Sequence, residues 1–287
     1  MKKMTLKYYW VLLALFLPLS LLAGKLEGDY GDYTVRKYYI GFYHAGNWQL
    51  LDSTEVNVSG RFSISLPDSL RGSIVVVAAD DRTPNNAFKD LHGDISVQFV
   101  YEGQDISYTT SWRNNSGYLK YGKGCEATTA LKQLNETLAK VQERIYYIQK
   151  LQEGISPKDA FYTDLHNQYV TEVKKFNSLC DSVAGNFPKD SYMAIYAAMF
   201  KQVCPPKGLT LADTNKWISE HMFDYTSLHN PFTADIPLFK GMLQYYFYIN
   251  QPVGVVPQEE IEQSKANAKE KLLAKSSGAV REVVNSQ

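Results

Sequence analysis

Two different spacings of apolar residues divide this chain. From about residue 34 to 113 apolar and polar residues alternate, whereas after residue 119 apolar residues recur at steps of three and four. Alternation is typical of strands with one buried face, and steps of three and four are typical of amphipathic helices. The sequence therefore predicts an α+β fold in which a β-sheet region precedes a helical region.

The alternating part contains six or seven short predicted strands. The segment "EVNVSGRFSISLP" alternates on both sides of Ser59 and Gly60, which predicts a β-hairpin. The segment "GSIVVVAAD" is apolar throughout, which predicts a strand buried on both faces. Two more strands are predicted on either side of Glu102 and Gly103. Strands of this number and length predict a small antiparallel β-sandwich over residues 25–118.

Residues 119–287 are predicted to be all helical. The first helix has a narrow apolar seam at Ala127, Leu131, Leu134, Leu138, Val141, Ile145 and Ile148. The second has one apolar face at Phe161, Leu165, Tyr169, Val173, Phe176 and Val183. The short breaker "EGISPKD" between them predicts a helical hairpin, which further helices extend into a bundle. Mutual packing explains both apolar faces, although so narrow a seam could also recruit a partner helix.

The N-terminus has the composition of a secretory signal peptide. Three lysines within the first seven residues precede an apolar run from Tyr8 to Leu22, and small residues follow at Ala23 and Gly24. The run is shorter than the roughly 20 apolar residues that span a bilayer. The sequence thus predicts a signal peptide at residues 1–24 and an exported protein of the periplasm or cell envelope. No stable transmembrane segment is expected after cleavage.

The net charge and the placement of possible metal-binding residues exclude some classes of partner. The full chain has 30 basic and 30 acidic residues, and loss of the three lysines in the signal peptide leaves 27 basic residues against 30 acidic ones. This balance lacks the basic excess that a nucleic-acid partner requires. The five histidines and three cysteines show no metal-ligand spacing, so neither a metal nor another cofactor is predicted.

The cysteines are the first candidates for chemistry. A thioredoxin-type site needs two cysteines separated by two residues at a helix N-terminus, but "CPPK" at 204–207 lacks the second one. Cys204 is predicted at the C-terminal end of a helix, where partial negative charge raises a thiol pKa. A disulfide between Cys180 and Cys204 is disfavoured by a predicted axial offset of about 12 Å. Cys125 is the better redox candidate because it precedes a helix and has lysines nearby, although Glu126 opposes this effect.

Aromatic residues of the β region are the second group of candidates. Tyr43, Trp48 and Trp112 could stack on a sugar ring or hold a peptide. Aromatic side chains are also ordinary strand formers and core fillers, so the same residues fit a purely structural role. Capture of a glycan or peptide is therefore kept as an alternative function.

The order of the segments resembles a known group of proteins. A signal peptide, "VNVSGRFSISLP", "VQFVYEGQDISY", a helical hairpin, "NFPKDSYMAIYAAM" and "HMFDYTSLHNPFTADIPLFKGMLQYYFYI" follow one another. Together they resemble the N-terminal extension of bacterial cell-envelope thioredoxin-like proteins of the TlpA and ResA kind, and the likeness covers nearly the whole mature chain. In that family a β-domain of unknown function and a helical region precede a thioredoxin domain with Trp-Cys-x-x-Cys, which this chain lacks. The resemblance implies an envelope location and a link to thiol or peroxide metabolism, and it transfers no catalytic residue.

The sequence therefore favours a non-catalytic, exported binding or interaction module, standing alone or separated from a catalytic part. Its expected partner is a protein or glycan of the cell envelope. The alternatives are glycan or peptide capture by the aromatic β region and thiol–disulfide exchange by a lone cysteine. No Gly-rich phosphate loop, Ser-His-Asp arrangement or pair of acid/base carboxylates can be assigned.

Overall fold

Two β-sheets of four strands each form the N-terminal half of the fold. The computed structural model describes residues 24–31, 37–55, 59–79, 96–111 and 118–287. The strands are β1 (Gly24–Tyr30), β2 (Lys37–His44), β3 (Asn47–Glu55), β4 (Arg61–Leu66), β5 (Ser73–Ala79), β6 (Ser96–Tyr101), β7 (Ile106–Thr110) and β8 (Lys120–Tyr121). Sheet A has the order β4-β1-β7-β8, and sheet B has the order β3-β2-β5-β6.

Seven α-helices among the described residues follow the sheets. They are α1 (Glu126–Glu153), α2 (Ala160–Ala184), α3 (Tyr192–Phe200), α4 (Leu211–His221), α5 (Pro237–Ile249), α6 (Gln258–Lys275) and α7 (Gly278–Ser286). The predicted α+β class and the order of strands before helices are confirmed. The hydroxyl of Ser191 caps α3 by accepting the N–H of Ala194, and the hydroxyl of Thr210 caps α4 by accepting the N–H of Asp213.

One strand and one pairing direction differ from the expectation. β1 was not predicted as a strand, and it lies in the middle of sheet A. It pairs in parallel with β7, from Leu26 opposite Ile106 to Tyr30 opposite Thr110. The predicted sheets were antiparallel throughout, so this parallel pair is a correction. Parallel strands are not joined by a tight turn, and β1 and β7 are far apart in the sequence. The sequence therefore contains no local turn signal that indicates this pairing.

The strands near the two predicted turns belong to different sheets. β4 pairs with β1 in sheet A, while β3 belongs to sheet B and ends at Glu55. The first arm of the hairpin expected at Ser59 and Gly60, Val56 to Val58, lies outside the described residues. The two strands predicted on either side of Glu102 and Gly103 are β6 and β7, and the turn between them takes the chain from sheet B to sheet A. Alternation indicates which face of a strand is buried, but it does not indicate which strand lies beside it.

The facing sides of the two sheets share one apolar core. Its largest fully buried side chains include Tyr30 and Leu26 from sheet A and Tyr38 and Phe99 from sheet B. Gly28 in β1 has no room for a side chain, because a Cβ atom there would overlap the ring of Phe62. The glycine lets β1 approach the aromatic core closely.

Strand β5 of sheet B is buried on both faces, as "GSIVVVAAD" predicted. Val75 and Val77 of β5 face sheet A, whereas Ile74 and Val76 pack into a second core with the helices. Val100 of β6 belongs to that same second core. The sheets and the helices are therefore joined by continuous apolar packing. Sheet A also extends past the predicted domain boundary at residue 118, because β8 pairs with β7.

The first two helices pack along each other and bury most of the predicted faces, but Phe161 at the start of α2 is 54% exposed, which corrects its place on the buried face. On α1 the buried apolar residues are Ala127, Leu134, Leu138 and Ile145, and on α2 they are Leu165, Tyr169, Val173, Phe176 and Cys180. The remaining seam residues of α1 are partly buried against the same core. Beyond Ile145 and before Leu165 neither helix contains a fully buried residue, so this end of the pair projects from the core.

Most of the predicted signal peptide lies outside the described residues. Its last residue, Gly24, begins β1 and donates its N–H to the hydroxyl of Tyr101 at 2.9 Å. No helix among the described residues combines the length and the apolar character needed to cross a membrane.

Candidate functional site

The outer face of sheet A carries a polar groove with a volume of about 820 Å³. Alternation places Glu27 and Asp29 of β1 on this face, while their neighbours Leu26 and Tyr30 are buried in the core. The end of β3, at Thr54 and Glu55, contributes to the lining from the other sheet.

Cross-strand register arranges the lining into two rows. The first row runs Arg61, Asp29, Thr109 and Lys120 across all four strands of sheet A. The second row places Ser63, Glu27 and Ser107 side by side. Neighbouring strands lie about 4.8 Å apart, so the first row spans roughly 14 Å.

Ion pairs and backbone contacts hold this surface in place. Arg61 Nε lies 2.9 Å from Asp29 Oδ2, and Lys25 Nζ lies 2.6 Å from Glu27 Oε1. Such exposed pairs contribute little to the free energy of folding, at most about 1 kcal/mol each, but they orient the charges. The hydroxyl of Ser107 accepts the N–H of Lys123 at 2.9 Å, which ties the segment after β8 to β7.

Polar and charged side chains dominate the lining of the groove. Its lining combines charges of both signs with the hydroxyls of Thr54, Ser63, Ser107 and Thr109. No histidine or cysteine of the described residues lines it, so the serine and threonine hydroxyls lack an imidazole base. The arrangement offers hydrogen-bond donors, acceptors and paired charges to a polar ligand.

Two of the three candidate aromatic stacking residues lie among the described residues. Tyr43 is only 4% exposed, because the period of β2 directs it into the core shared with the helices. Trp48 is half-buried and packs edge-on against Tyr43, with ring centroids 5.2 Å apart. Trp112 lies outside the described residues. Tyr43 is therefore a core residue that offers no exposed ring face, whereas Trp48 packs against the same core and is only partly buried.

Cys125 is in the wrong environment for a nucleophile. It immediately precedes α1, as predicted, but its side chain is buried and its Sγ lies 3.4 Å from the carbonyl oxygen of Ser107. Burial raises the pKa of this thiol, and Glu126 adds to the rise. The helix N-terminus and the nearby lysines do not overcome the loss of solvation.

The other two thiols have raised pKa values as well. All three cysteines are free, and burial raises the pKa of Cys180 to about 12. Cys204 is half-buried and lies beyond the end of α3 at Phe200, in the segment before the two prolines. Burial is also the main cause of its raised pKa, so neither thiol is activated.

Residues that sequence reasoning missed make up the groove. Glu27, Asp29, Arg61 and Lys120 were passed over because isolated charges on strands resemble ordinary solvated positions. Their grouping depends on the pairing of β1 with both β4 and β7, which the sequence did not indicate. The one available signal was that charged residues occupy every second position of "KLEGDY". Any amphipathic strand has the same pattern.

Comparisons with protein-family models, with curated proteins and with solved structures found no match for this chain. Among the described residues, no three histidine, cysteine, aspartate or glutamate side chains are grouped so that they could hold a metal ion.

Proposed function

We propose that this chain is a non-catalytic, exported binding module that holds a polar segment of a partner polypeptide on the outer face of sheet A. The observation that carries the proposal is the groove of about 820 Å³ with its two cross-strand rows. Alternating charges such as those of Arg61 and Asp29 complement a ligand that carries both signs, as a polar peptide does.

In this proposal the two sheets act as a small β-sandwich, and α1 with α2 acts as a helical hairpin. Sites on strands of a packed scaffold are positioned more accurately than sites on loops. The apolar core behind Glu27 and Asp29 and the ion pairs on the surface support a pre-organised groove. A pre-organised surface loses less entropy when the ligand binds.

Two observations favour binding over thiol chemistry. Burial raises the pKa of Cys125, Cys180 and Cys204, so each is mostly protonated near neutral pH. None of the three forms a disulfide. A role beside envelope thioredoxin-like proteins, as the resemblance implies, would then be the presentation of a partner and not electron transfer.

A peptide is favoured over a glycan as the ligand. Sugar rings are usually held by exposed aromatic faces, and Tyr43 and Trp48 are taken up by core packing. Among the described lining residues the aromatic ones, Phe62, Tyr108 and Tyr121, extend toward the core between the sheets. Charged side chains and hydroxyls are what remains for the ligand.

The experiment is a selection from a phage-displayed peptide library, run beside a glycan array with the same purified protein. We expect enriched peptides that contain both acidic and basic residues, with no glycan bound above background. Substitution of Thr109→Leu together with Lys120→Glu should weaken binding of an enriched peptide by at least about tenfold, because one change removes a hydroxyl and the other reverses a charge.

The matched control is Lys140→Glu, which reverses an exposed charge on α1 away from the groove. It should bind the enriched peptide as the wild type does. Absence of any enriched peptide, or equal binding by the groove variant and the wild type, would contradict the proposal. Glycan binding that the groove variant loses would replace the peptide with a sugar as the ligand.

A further inference from the structure

A second groove lies in the helical region, between α4, α5 and α6. It has a volume of about 730 Å³. One wall is a face of α4 that includes Lys216, Ser219 and Glu220, and the opposite wall is the end of α6 with Lys271 and Lys275. The C-terminal turn of α5 and the segment that follows it close the floor.

The charges of this groove are unbalanced. Lys216, Lys271 and Lys275 face a single acid, Glu220, across the lining. No described residue forms an ion pair with any of the three lysines, in contrast to Lys150 and Lys175 on the first two helices. The ammonium groups come from two different helices, so they surround the groove instead of following one helix face.

Helix capping does not account for this group of lysines. Lys275 lies in the last turn of α6, where a cation complements the helix dipole. Lys216 lies in the middle of α4, and Lys271 lies before the last turn of α6. The dipole effect falls off within one turn, so two of the three positive charges have no such structural explanation.

The floor between the charges is apolar and fixed. Ile249 and Tyr246 of α5 are buried beneath the groove, and Val253 is 59% exposed at its rim. Ser219 Oγ donates to Asn250 Oδ1 at 2.9 Å, and Asn250 Nδ2 donates to the carbonyl of Tyr246 at 2.8 Å. These hydrogen bonds hold α4 against the end of α5 and keep the groove open.

We propose that this groove binds an acidic peptide segment that also carries apolar side chains. Carboxylates of the peptide would pair with the lysines, and an apolar side chain would lie on the floor formed by Ile249 and Val253. The charge excess selects an anion, and the apolar floor favours a peptide with leucine or isoleucine over a small inorganic ion. This site is separate from the groove on sheet A and does not depend on the function proposed for it.

The test measures fluorescence anisotropy with a labelled peptide of alternating glutamate and leucine. A peptide of alternating lysine and leucine with the same length is the control ligand. The wild type should bind the acidic peptide and not the basic one, and the affinity should fall as salt is raised, because exposed charges are screened. The triple variant Lys216→Gln, Lys271→Gln and Lys275→Gln should bind roughly tenfold or more weakly, about two- to threefold per lysine.

Lys265→Gln is the matched control variant, since Lys265 is an exposed lysine of α6 outside the groove. It should keep wild-type affinity. Equal affinity of the triple variant and the Lys265→Gln variant, or equal binding of the basic peptide, would overturn the proposal. All four lysines are exposed, so none of these substitutions removes a core contact.

A second measurement needs no variant. Zero-length carbodiimide coupling of the acidic peptide to the wild-type protein should give cross-links at Lys271 or Lys216, identified by mass spectrometry. Cross-links spread over the lysines of α1 would contradict the site. Sedimentation of the protein without peptide distinguishes a second copy as the occupant: a dimer that the triple variant dissociates would replace the peptide partner with another copy of this chain.

Discussion

The carboxylate of Glu102, in the turn after β6, accepts the backbone N–H of Tyr192 at 2.6 Å, at the start of α3. The two residues lie 90 positions apart in the sequence. Glu102 thus joins the end of sheet B to the most deeply buried helix, where an acidic group also complements the helix N-terminus. Its carboxylate is partly buried, and burial raises its pKa above the usual value.

This raised pKa predicts a pH dependence of stability. The folded protein holds the Glu102 proton more tightly than the unfolded chain does, so this group favours folding most at pH values below its unfolded pKa. That contribution is lost as the pH rises through the folded pKa. The free energy of unfolding of Glu102→Gln should therefore increase relative to that of the wild type as the pH rises from about 4 to about 7.

Urea unfolding at several pH values measures this difference. Lys140→Gln, an exposed substitution on α1, is the control and should follow the wild type across the range. Glu102→Ala should be destabilised at every pH by about 1–3 kcal/mol, because the N–H of Tyr192 loses its acceptor. A constant offset between wild type and Glu102→Gln would show that the carboxylate is solvated in the folded protein.

Backbone strain in the turn between β2 and β3 gives a second prediction. Ala45 has φ +47°, and its N–H donates to Asp235 Oδ1 at 2.9 Å, which connects the turn to the helical region. A left-handed backbone conformation costs a non-glycine residue roughly 1–2 kcal/mol. This cost is larger than the extra backbone entropy that a glycine loses on folding. Ala45→Gly should raise the free energy of unfolding by about 0.5 kcal/mol.

Ala139→Gly is the control for this experiment, and it should change the free energy of unfolding in the opposite direction. Ala139 is exposed in the interior of α1, where glycine costs about 1 kcal/mol. Thermal or urea unfolding of both variants should show shifts of opposite sign. Destabilisation by both substitutions would mean that the turn does not hold Ala45 at a positive φ.

The position of β1 in the sheet can be tested through its glycine. Gly28→Ala would bring a Cβ atom within 2.7 Å of the Phe62 ring and 2.9 Å of the Tyr108 hydroxyl. Overpacking of this kind should lower the free energy of unfolding by about 1–3 kcal/mol. Gly241→Ala is the control, since Gly241 lies in α5 with open space around it and should gain about 1 kcal/mol. Equal effects of the two substitutions would place β1 away from the aromatic core.

Thiol labelling tests the environments of the three cysteines. Cys125 and Cys180 are at most 2% exposed, whereas Cys204 is partly accessible. With Ellman's reagent at neutral pH we expect slow labelling of Cys204 alone in the folded protein and rapid labelling of all three cysteines in urea. Mass spectrometry identifies the modified residue. Rapid labelling of Cys125 in the folded state would return it to consideration as a redox nucleophile.

The sequence predicted the helices better than the sheets, for a physical reason. The heptad steps of α1 and the cap residues Ser191 and Thr210 are local signals, and the helices begin and end close to where these signals place them. Strand partners are set by contacts far apart in the chain. Leu26 lies beside Ile64 on one side and Ile106 on the other, and nothing near Leu26 in the sequence encodes either neighbour.

The same distinction explains the outcome for the candidate sites. The aromatic residue Tyr43 was identified correctly as part of a strand, but its direction depends on the helices that pack on sheet B. The row of Arg61, Asp29, Thr109 and Lys120 comes from four separate strands, so it exists only after folding. Asp235 shows a similar effect: it lies two residues before the start of α5 at Pro237, but its carboxylate accepts the N–H of Ala45, which is far away in the sequence.

The most direct test of the binding proposal is an NMR titration of the isotopically labelled protein with a peptide from the library selection. Backbone amide shifts should change at Glu27, Asp29, Ser107, Thr109 and Lys120, and they should stay unchanged in the Thr109→Leu, Lys120→Glu variant. Shift changes restricted to the helices, or none at a peptide concentration well above the measured Kd, would contradict a binding site on the outer face of sheet A.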